Sequence, residues 1–510
     1  MNKLITMHII LIFCLPHGVA FGHGLEVKKH GTKLAYIARD DRPILAFGCH
    51  LEHMFVKDNK PDYTVWSDWA QAHGVNHCRV RVIQPNLRDT YKPYQSVGRG
   101  QYDLTRFDPN FWERFRAICV NLREHGVVVH LLMFPHNGHV RSQNWRESLF
   151  NPDHNINPQT DHLGDSNHCK FWHSVADGQT GLWEIQRAAI EKVVELTADL
   201  DNVYYDLSHE FRTDCCGAEP TDWNKAKQFF EAAAGTLRTR YNELQSGKIP
   251  LIGLDAEHFA KAGQLGWNFN NPAFDLMILG NSSESAVPSV DTVIAWREQY
   301  KKPFLLQEGG ADDDRGGKIF ISYHDTAPTV IRKYVWKWVM AKNQLIDIYQ
   351  KSHNKGYPDN YDPSGYSSFE GDAVVLRAFW NTLVDYDNLD YTGRIASGPG
   401  FRKMVLSSKK EAIAYMASEM GQIGTEYNAQ IMSLTGLALM DGGYAVDIWK
   451  PDASSGLVKT VESVVKDGSV SLRLPSFTDD LAVHIYKVAS SSPTAHGSSL
   501  PQAEMEYPIR

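Results

Sequence analysis

The chain has 510 residues, 43% hydrophobic and 22% charged, enough apolar material for a large core plus a smaller module, which excludes an intrinsically disordered chain. Its net charge of −8 supplies no basic field to hold phosphates, so nucleic acid is not an expected partner. Lys3, the apolar run Met7 to Leu15 and the small residues Gly18, Ala20 and Gly22 follow the order of a secretory signal. This predicts a leader over residues 1–22 and a secreted or periplasmic protein. The run is too short to cross a bilayer, and no later one reaches the roughly eighteen residues that a spanning helix needs, so no membrane span is expected.

A short hairpin over Leu25 to Ile37 precedes a long alternation of apolar strands and amphipathic helices. The predicted strands are Pro43 to Phe47, Gly74 to Val82, Val127 to Phe134, Val203 to Leu207, Pro250 to Leu254, Phe274 to Leu279, Phe304 to Gln307 and Leu345 to Tyr349. Between them run a helix through Trp66 and Trp69, one started by Phe107-Asp108-Pro109 and ended by Gly126, and others over Glu184 to Ala198, Trp223 to Leu244, Val290 to Tyr300 and Pro328 to Asn343, with a last one over Gly371 to Asp387. Repeated strand–helix units of this kind predict an α/β fold, a (β/α)8 TIM barrel. Pro135 to Leu182 is a long insertion after the third strand, placed to overhang the barrel mouth, and Ser352 to Glu370 is a second long loop beside it.

Past Asp387 the texture changes to short strands with Gly-rich turns: Lys410 to Ser418, Tyr444 to Trp449, Leu457 to Val465, Val470 to Leu474 and Ala482 to Tyr486. These predict a C-terminal antiparallel β-sandwich domain. The expected division is a barrel with its hairpin over 23–390, the sandwich over 391–490 and a flexible tail over 491–510. Besides Cys14, the cysteines are Cys49, Cys78, Cys119, Cys169, Cys215 and Cys216; six in so long a chain are no disulfide scaffold. The adjacent Cys215 and Cys216 are open to an eight-membered ring, to separate partners or to remaining free thiols.

Two predicted strands each run into a glutamate: Asn202 to Glu210, and Lys302 to Glu308. The C-terminal ends of parallel barrel strands are where such barrels do chemistry, and a pair of carboxylates is what hydrolysis of a sugar bond requires. Arg79 and Arg81 share the parity of one strand and so point to one face. His130, His136, Asn137 and His139 form a polar cluster at the end of strand three, set to contact sugar hydroxyls or to brace the loop. Trp145, Trp172, Trp183 and Trp267 are candidate stacking platforms, with core packing the commoner role for a tryptophan.

Gly74-Val75-Asn76 leading to Arg79, Asn202 to Glu210 and Lys302-Pro303 to Glu308 resemble strands two, four and seven of the clan A glycoside hydrolases. The resemblance runs from residue 25 to residue 487 and extends to cellulase-like members with a small C-terminal β-domain. It implies a retaining enzyme with Glu210 as acid/base, Glu308 as nucleophile and Arg79 supporting the nucleophile. Such a pair needs one protonated and one ionised carboxyl about 5 to 5.5 Å apart. The clan usually has Asn before the acid/base, and here that place holds His209. Strand six also lacks the expected aromatic, with Leu279-Gly280-Asn281-Ser282 at that point and Tyr323 or another loop residue as the substitute.

The expected substrate is a β-linked polysaccharide or oligosaccharide, with Arg79, Arg81, His136, Asn137, Trp172, His209, Asn281 and Tyr323 as binding residues. No cofactor and no metal are expected: His50-Leu51-Glu52-His53 is not the His-x-His of zinc barrels, and Asp312-Asp313-Asp314 lacks spaced ligands. A non-catalytic carbohydrate-binding barrel and a metal-dependent hydrolase remain as alternatives.

Overall fold

A computed structural model describes residues 24–29, 34–51, 54–55, 63–83, 86–135, 142–164, 168–209, 211, 220–255, 265–280, 288–307, 310–312, 318–321, 326–348, 370–392, 401–452 and 456–487. Eight parallel strands close into a barrel: β1 (Ala46–His50), β2 (His77–Arg81), β3 (Val128–Leu132), β4 (Val203–Asp206), β5 (Ile252–Asp255), β6 (Leu276–Gly280), β7 (Phe304–Gln307) and β8 (Leu345–Ile348). They lie around the ring in chain order, β8 pairing with β1 through Leu345 and Ala46. Helices α1 (Tyr63–Ala72), α2 (Pro109–Glu124), α3 (Thr180–Thr197), α4 (Pro220–Leu244), α5 (Val290–Tyr300), α6 (Pro328–Met340) and α7 (Glu370–Asn381) connect or follow them. This is the predicted (β/α)8 fold.

Local chemistry explains the helix ends. Asp108 caps α2 by accepting from the Asn110 amide, and Pro109 starts the helix with its φ already set. Phe111, Phe115, Ile118 and Leu122 then recur on the buried face. Ser289 caps α5 through the Thr292 amide, and Lys301, at φ 54°, ends it in the left-handed region.

One strand sits elsewhere than expected. The first barrel strand is Ala46–His50, not Pro43 to Phe47, because Arg42–Pro43 pairs with Ala38 and Arg39 and turns the N-terminal hairpin into a three-stranded sheet. Proline has no N–H to give a barrel ladder and belongs at such an edge. Gly48 belongs inside the barrel for a steric reason: a Cβ there would lie 1.8 Å from the His77 carbonyl oxygen. The structure also contains strands with no counterpart in the prediction, Tyr94–Gly98 with Gln101–Phe107, Arg402–Ser407 and Gln430–Leu434.

The C-terminal region forms the antiparallel β-sandwich domain. Its main sheet has six strands, in the spatial order Asp390–Tyr391, Arg402–Ser407, Glu411–Ala417, Asp480–Tyr486, Gly442–Lys450 and Gly456–Val465. Smaller two-stranded sheets, among them Gln430–Leu434 with Val470–Leu474, enclose a second core of Val405, Val446, Leu472 and Val483.

This domain is packed onto the barrel through α6, whose residues from Val330 to Met340 are all buried. A helix buried all round normally carries few charges, yet α6 contains Arg332, Lys333 and Lys337. The β-domain answers two of these charges. Arg332 makes a bidentate pair with Asp480 at 2.8–3.2 Å, and Lys333 pairs with Asp479 at 3.3 Å. Trp336 stacks on Tyr415 with centroids 5.3 Å apart, so the junction is also an aromatic core.

Part of the 135–182 insertion is a packed wall rather than an open loop. It is built of short 3-10 helices at Pro152–His154, Pro158–Leu163 and His168–His173, with Trp145, Phe150, Leu163 and Phe171 buried. Cys49, Cys78 and Cys119 are buried free thiols. Cys215, Cys216 and the 352–369 loop lie outside the described residues.

Candidate active site

The inside of the barrel changes chemistry along its axis. Val128, Tyr204, Leu305 and Leu345 belong to an apolar cluster floored by Leu25 and Ile37 of the N-terminal hairpin. Strand side chains alternate faces, so the next inward position lies two residues further on. Those positions hold His130, Asp206, Gln307 and Asp347, and Asp255 stands likewise two residues after the inward Gly253. On β2 the same face carries His77, Arg79 and Arg81. The strand C-termini therefore enclose a polar layer above an apolar base, and burial in that layer is nearly complete.

Buried polar groups tend to pair, and the layer holds a set of such pairs. Arg79 Nε lies 3.5 Å from Asp347 Oδ2, with both side chains fully enclosed. His130 Nε2 is 3.2 Å from Asp206 Oδ2, and its ring stacks on Tyr204 at 4.6 Å. Asp206 Oδ1 accepts the backbone amides of Ser208 and Asp255. His77 Nε2 meets the Tyr204 hydroxyl at 2.8 Å. At the top of the layer His209 Nδ1 is 3.2 Å from Asp255 Oδ2 and 3.2 Å from Gln307 Nε2.

Protonation follows from this enclosure. Burial, and then the Arg79 charge, hold the His77 imidazole down to about 3. Burial pushes His130 well below its ordinary range, with His77, Arg79 and His209 adding to the effect. Burial, and then the negative charge of Asp255, push the Asp206 carboxyl well up. At neutral pH His77 and His130 are thus neutral.

A pH dependence of stability follows. His77 has a folded value depressed from 6.5 to about 3, so its contribution is present above 6.5 and lost as pH falls, because the unfolded chain takes up a proton that the folded chain refuses. A His77→Gln variant, whose amide keeps a partner for Tyr204, should lose unfolding free energy less steeply between pH 6.5 and 4. The slopes should differ by up to about 1.4 kcal/mol per pH unit. Urea denaturation at stepped pH checks this, and equal slopes for the two proteins would refute it.

The predicted site residues separate into three groups. Arg79, Arg81 and His209 come together in the polar layer, 1%, 9% and 1% exposed respectively. Trp172 does not join them as a stacking platform: it is 1% exposed and enclosed by Phe134, Phe171, Phe211, Phe229 and Phe230. A ring with no accessible face cannot receive a sugar; it packs the insertion against α4 and against Phe211, the residue after Glu210. Glu210, Glu308, His136, Asn137, Asn281 and Tyr323 lie outside the described residues.

Sequence reasoning missed Asp206, Asp255, Gln307 and Asp347. The signal was present as a polar residue two places after an inward apolar residue or glycine on β4, β5, β7 and β8. Among the described residues no group of three or more His, Cys, Asp or Glu is arranged to hold a metal ion, and no helix is long and apolar enough to cross a membrane.

The contact between His209 and Gln307 has a topological meaning. β4 and β7 are three steps apart around an eight-strand ring, so side chains that follow or end them meet only by reaching across the mouth. These are also the residues that immediately precede Glu210 and Glu308 in the chain.

No known family profile and no curated protein matches the sequence. Among solved structures, a glycoside hydrolase aligns with TM-score 0.55 and 11% identity over 91% of this chain and 97% of that one. A family 5 glycoside hydrolase from Bacteroides vulgatus aligns with TM-score 0.56 and 12% identity over 91% of this chain and 93% of its own. The chain shares their fold. The coverage takes in both the barrel and the β-domain, so the two-part architecture is common to all three proteins. At such identity the likeness concerns the fold and leaves the site to be argued from its residues.

Proposed function

We propose that the chain is a secreted glycoside hydrolase that cleaves β-linked polysaccharides or oligosaccharides with retention of configuration. In this reading Glu308 attacks the anomeric carbon while Glu210 protonates the departing oxygen. Water activated by Glu210 then releases the sugar from Glu308. One observation supports it above the others: the chain predecessors of the two glutamates touch across the barrel mouth, at the strand ends where such barrels do chemistry. The solved neighbours named as glycoside hydrolases support the same reaction class. Arg79 and Arg81, the positive groups of the polar layer, favour ionised carboxylates beside them. Export is proposed from the leader pattern of Lys3 and Met7 to Leu15.

The test is hydrolysis of a panel of plant and algal β-glycans, with NMR of the first anomer released. The β anomer is expected to appear first and then to mutarotate. An α anomer released first rejects retention. Binding without cleavage would mean a carbohydrate-binding barrel, and activity abolished by a chelator would mean a metal-dependent hydrolase.

A further inference from the structure

His209 Nδ1 faces two neighbours with opposite demands. Asp255 Oδ2, 3.2 Å away, accepts only if Nδ1 carries a proton, whereas the Gln307 amide nitrogen, also at 3.2 Å, donates only if Nδ1 holds a lone pair. The surroundings favour the carboxylate. Asp255 Oδ1 already accepts the Gly280 amide at 2.9 Å, and its backbone N–H is tied to Asp206 Oδ1. A hydrogen bond to a buried charge is about twice as strong as a neutral one.

Gln307 removes the remaining conflict. In the recorded orientation its Oε1 is buried and has no hydrogen-bond partner among the described residues. The two ends of a side-chain amide are exchangeable on geometry alone. A half-turn brings Oε1 towards Nδ1, so that one N–H is shared between Asp255 and Gln307 and the orphaned oxygen is satisfied.

We propose that Asp255 is a positioning residue: it accepts the Nδ1 proton of His209 and fixes the ring as a neutral imidazole with Nε2 unprotonated. The residue before Glu210 therefore offers a lone pair, not an N–H, at Nε2, and its partner there must be a donor such as a hydroxyl. Asp255 acts on the chemistry only through His209. The tautomer stands on the geometry alone, and its effect on turnover rests on the glycosidase reading above.

Long-range 1H–15N spectra of the full chain labelled with 15N-histidine read the tautomer directly, with His209 picked out of 22 histidines by its loss in a His209→Gln variant. At neutral pH the expected ring is protonated at Nδ1 only. A proton on Nε2, in a neutral or a charged ring, overturns the proposal. Asp255→Asn should shift the ring towards the Nε2–H form, whereas Gln307→Leu should leave it as in the parent. A tautomer that follows Gln307 and ignores Asp255 likewise overturns it. On any substrate found in the panel, Asp255→Asn should lower kcat by about tenfold or more with a smaller change in KM, as expected for a mis-set imidazole. The spectra need no substrate, so failure to cut any glycan counts against the glycosidase reading and not against the tautomer. If Asp255→Asn does not fold, the parent and Gln307→Leu spectra still decide.

Discussion

Glu308→Ala should abolish turnover, with kcat falling by roughly 10^4- to 10^6-fold, the scale on which an enzyme loses rate when its nucleophile is removed. Without the carboxylate no glycosyl–enzyme bond forms, and water cannot replace a nucleophile held in place on the opposite side of the anomeric carbon. Glu210→Ala should behave differently. With a dinitrophenyl leaving group the first step needs no acid, so the glycosyl–enzyme accumulates, and the slow step becomes attack by unassisted water. Azide needs no general base, so added azide should restore turnover of Glu210→Ala and give a β-glycosyl azide. In Glu308→Ala, azide would enter from the vacated side and give the α product. The stereochemistry of the two azides assigns the roles independently of the rates. Full activity in Glu308→Ala rejects the assignment.

Asp480→Ala should cost about 3 to 5 kcal/mol of stability, because it leaves a buried arginine without its carboxylate. The Arg332–Asp480 pair is 8% and 1% exposed, it is bidentate, and the Tyr415 hydroxyl also donates to Asp480 at 2.8 Å. Burial pushes the Asp480 carboxyl up while Arg332 opposes it, so the pair survives only by being complete. The double variant Arg332→Met with Asp480→Leu should recover most of the loss, since replacing both partners of a buried pair by apolar groups is often near neutral. Urea unfolding of the three variants, followed by tryptophan fluorescence, checks both statements. A single variant costing less than about 1 kcal/mol would show the pair to be peripheral. Wild type should unfold in one transition, because α6 is shared between the barrel and the β-domain.

The barrel was legible because its signals are local. Val203 to Leu207, Phe274 to Leu279 and Phe304 to Gln307 are apolar runs of strand length, and Val290 to Tyr300 has its cap and its period within the same segment. The first strand was misplaced by three residues because Pro43-Ile44-Leu45 is as apolar as Ala46-Phe47, and only pairing with β8 and β2 selects between them. Arg402–Ser407 was missed because Arg402 and Lys403 disguise a strand whose later residues are buried by the neighbouring Glu411–Ala417. Trp172 was misassigned for the same kind of reason: an aromatic residue in a polar loop reads alike whether it faces a sugar or five other rings.

What the sequence determined by itself was the succession of eight strands and their helices and the antiparallel β-region behind them. Periodicity, caps and turn residues act between neighbours a few positions apart, so they are present in the linear chain. What only the tertiary structure decided was which inward residues form one layer. Arg79 with Asp347, His130 with Asp206, and His209 with both Asp255 and Gln307 are separated by 46 to 268 positions, counting from His209 to Asp255 and from Arg79 to Asp347. Barrel closure brings them within reach, and burial then sets which of them carry a proton.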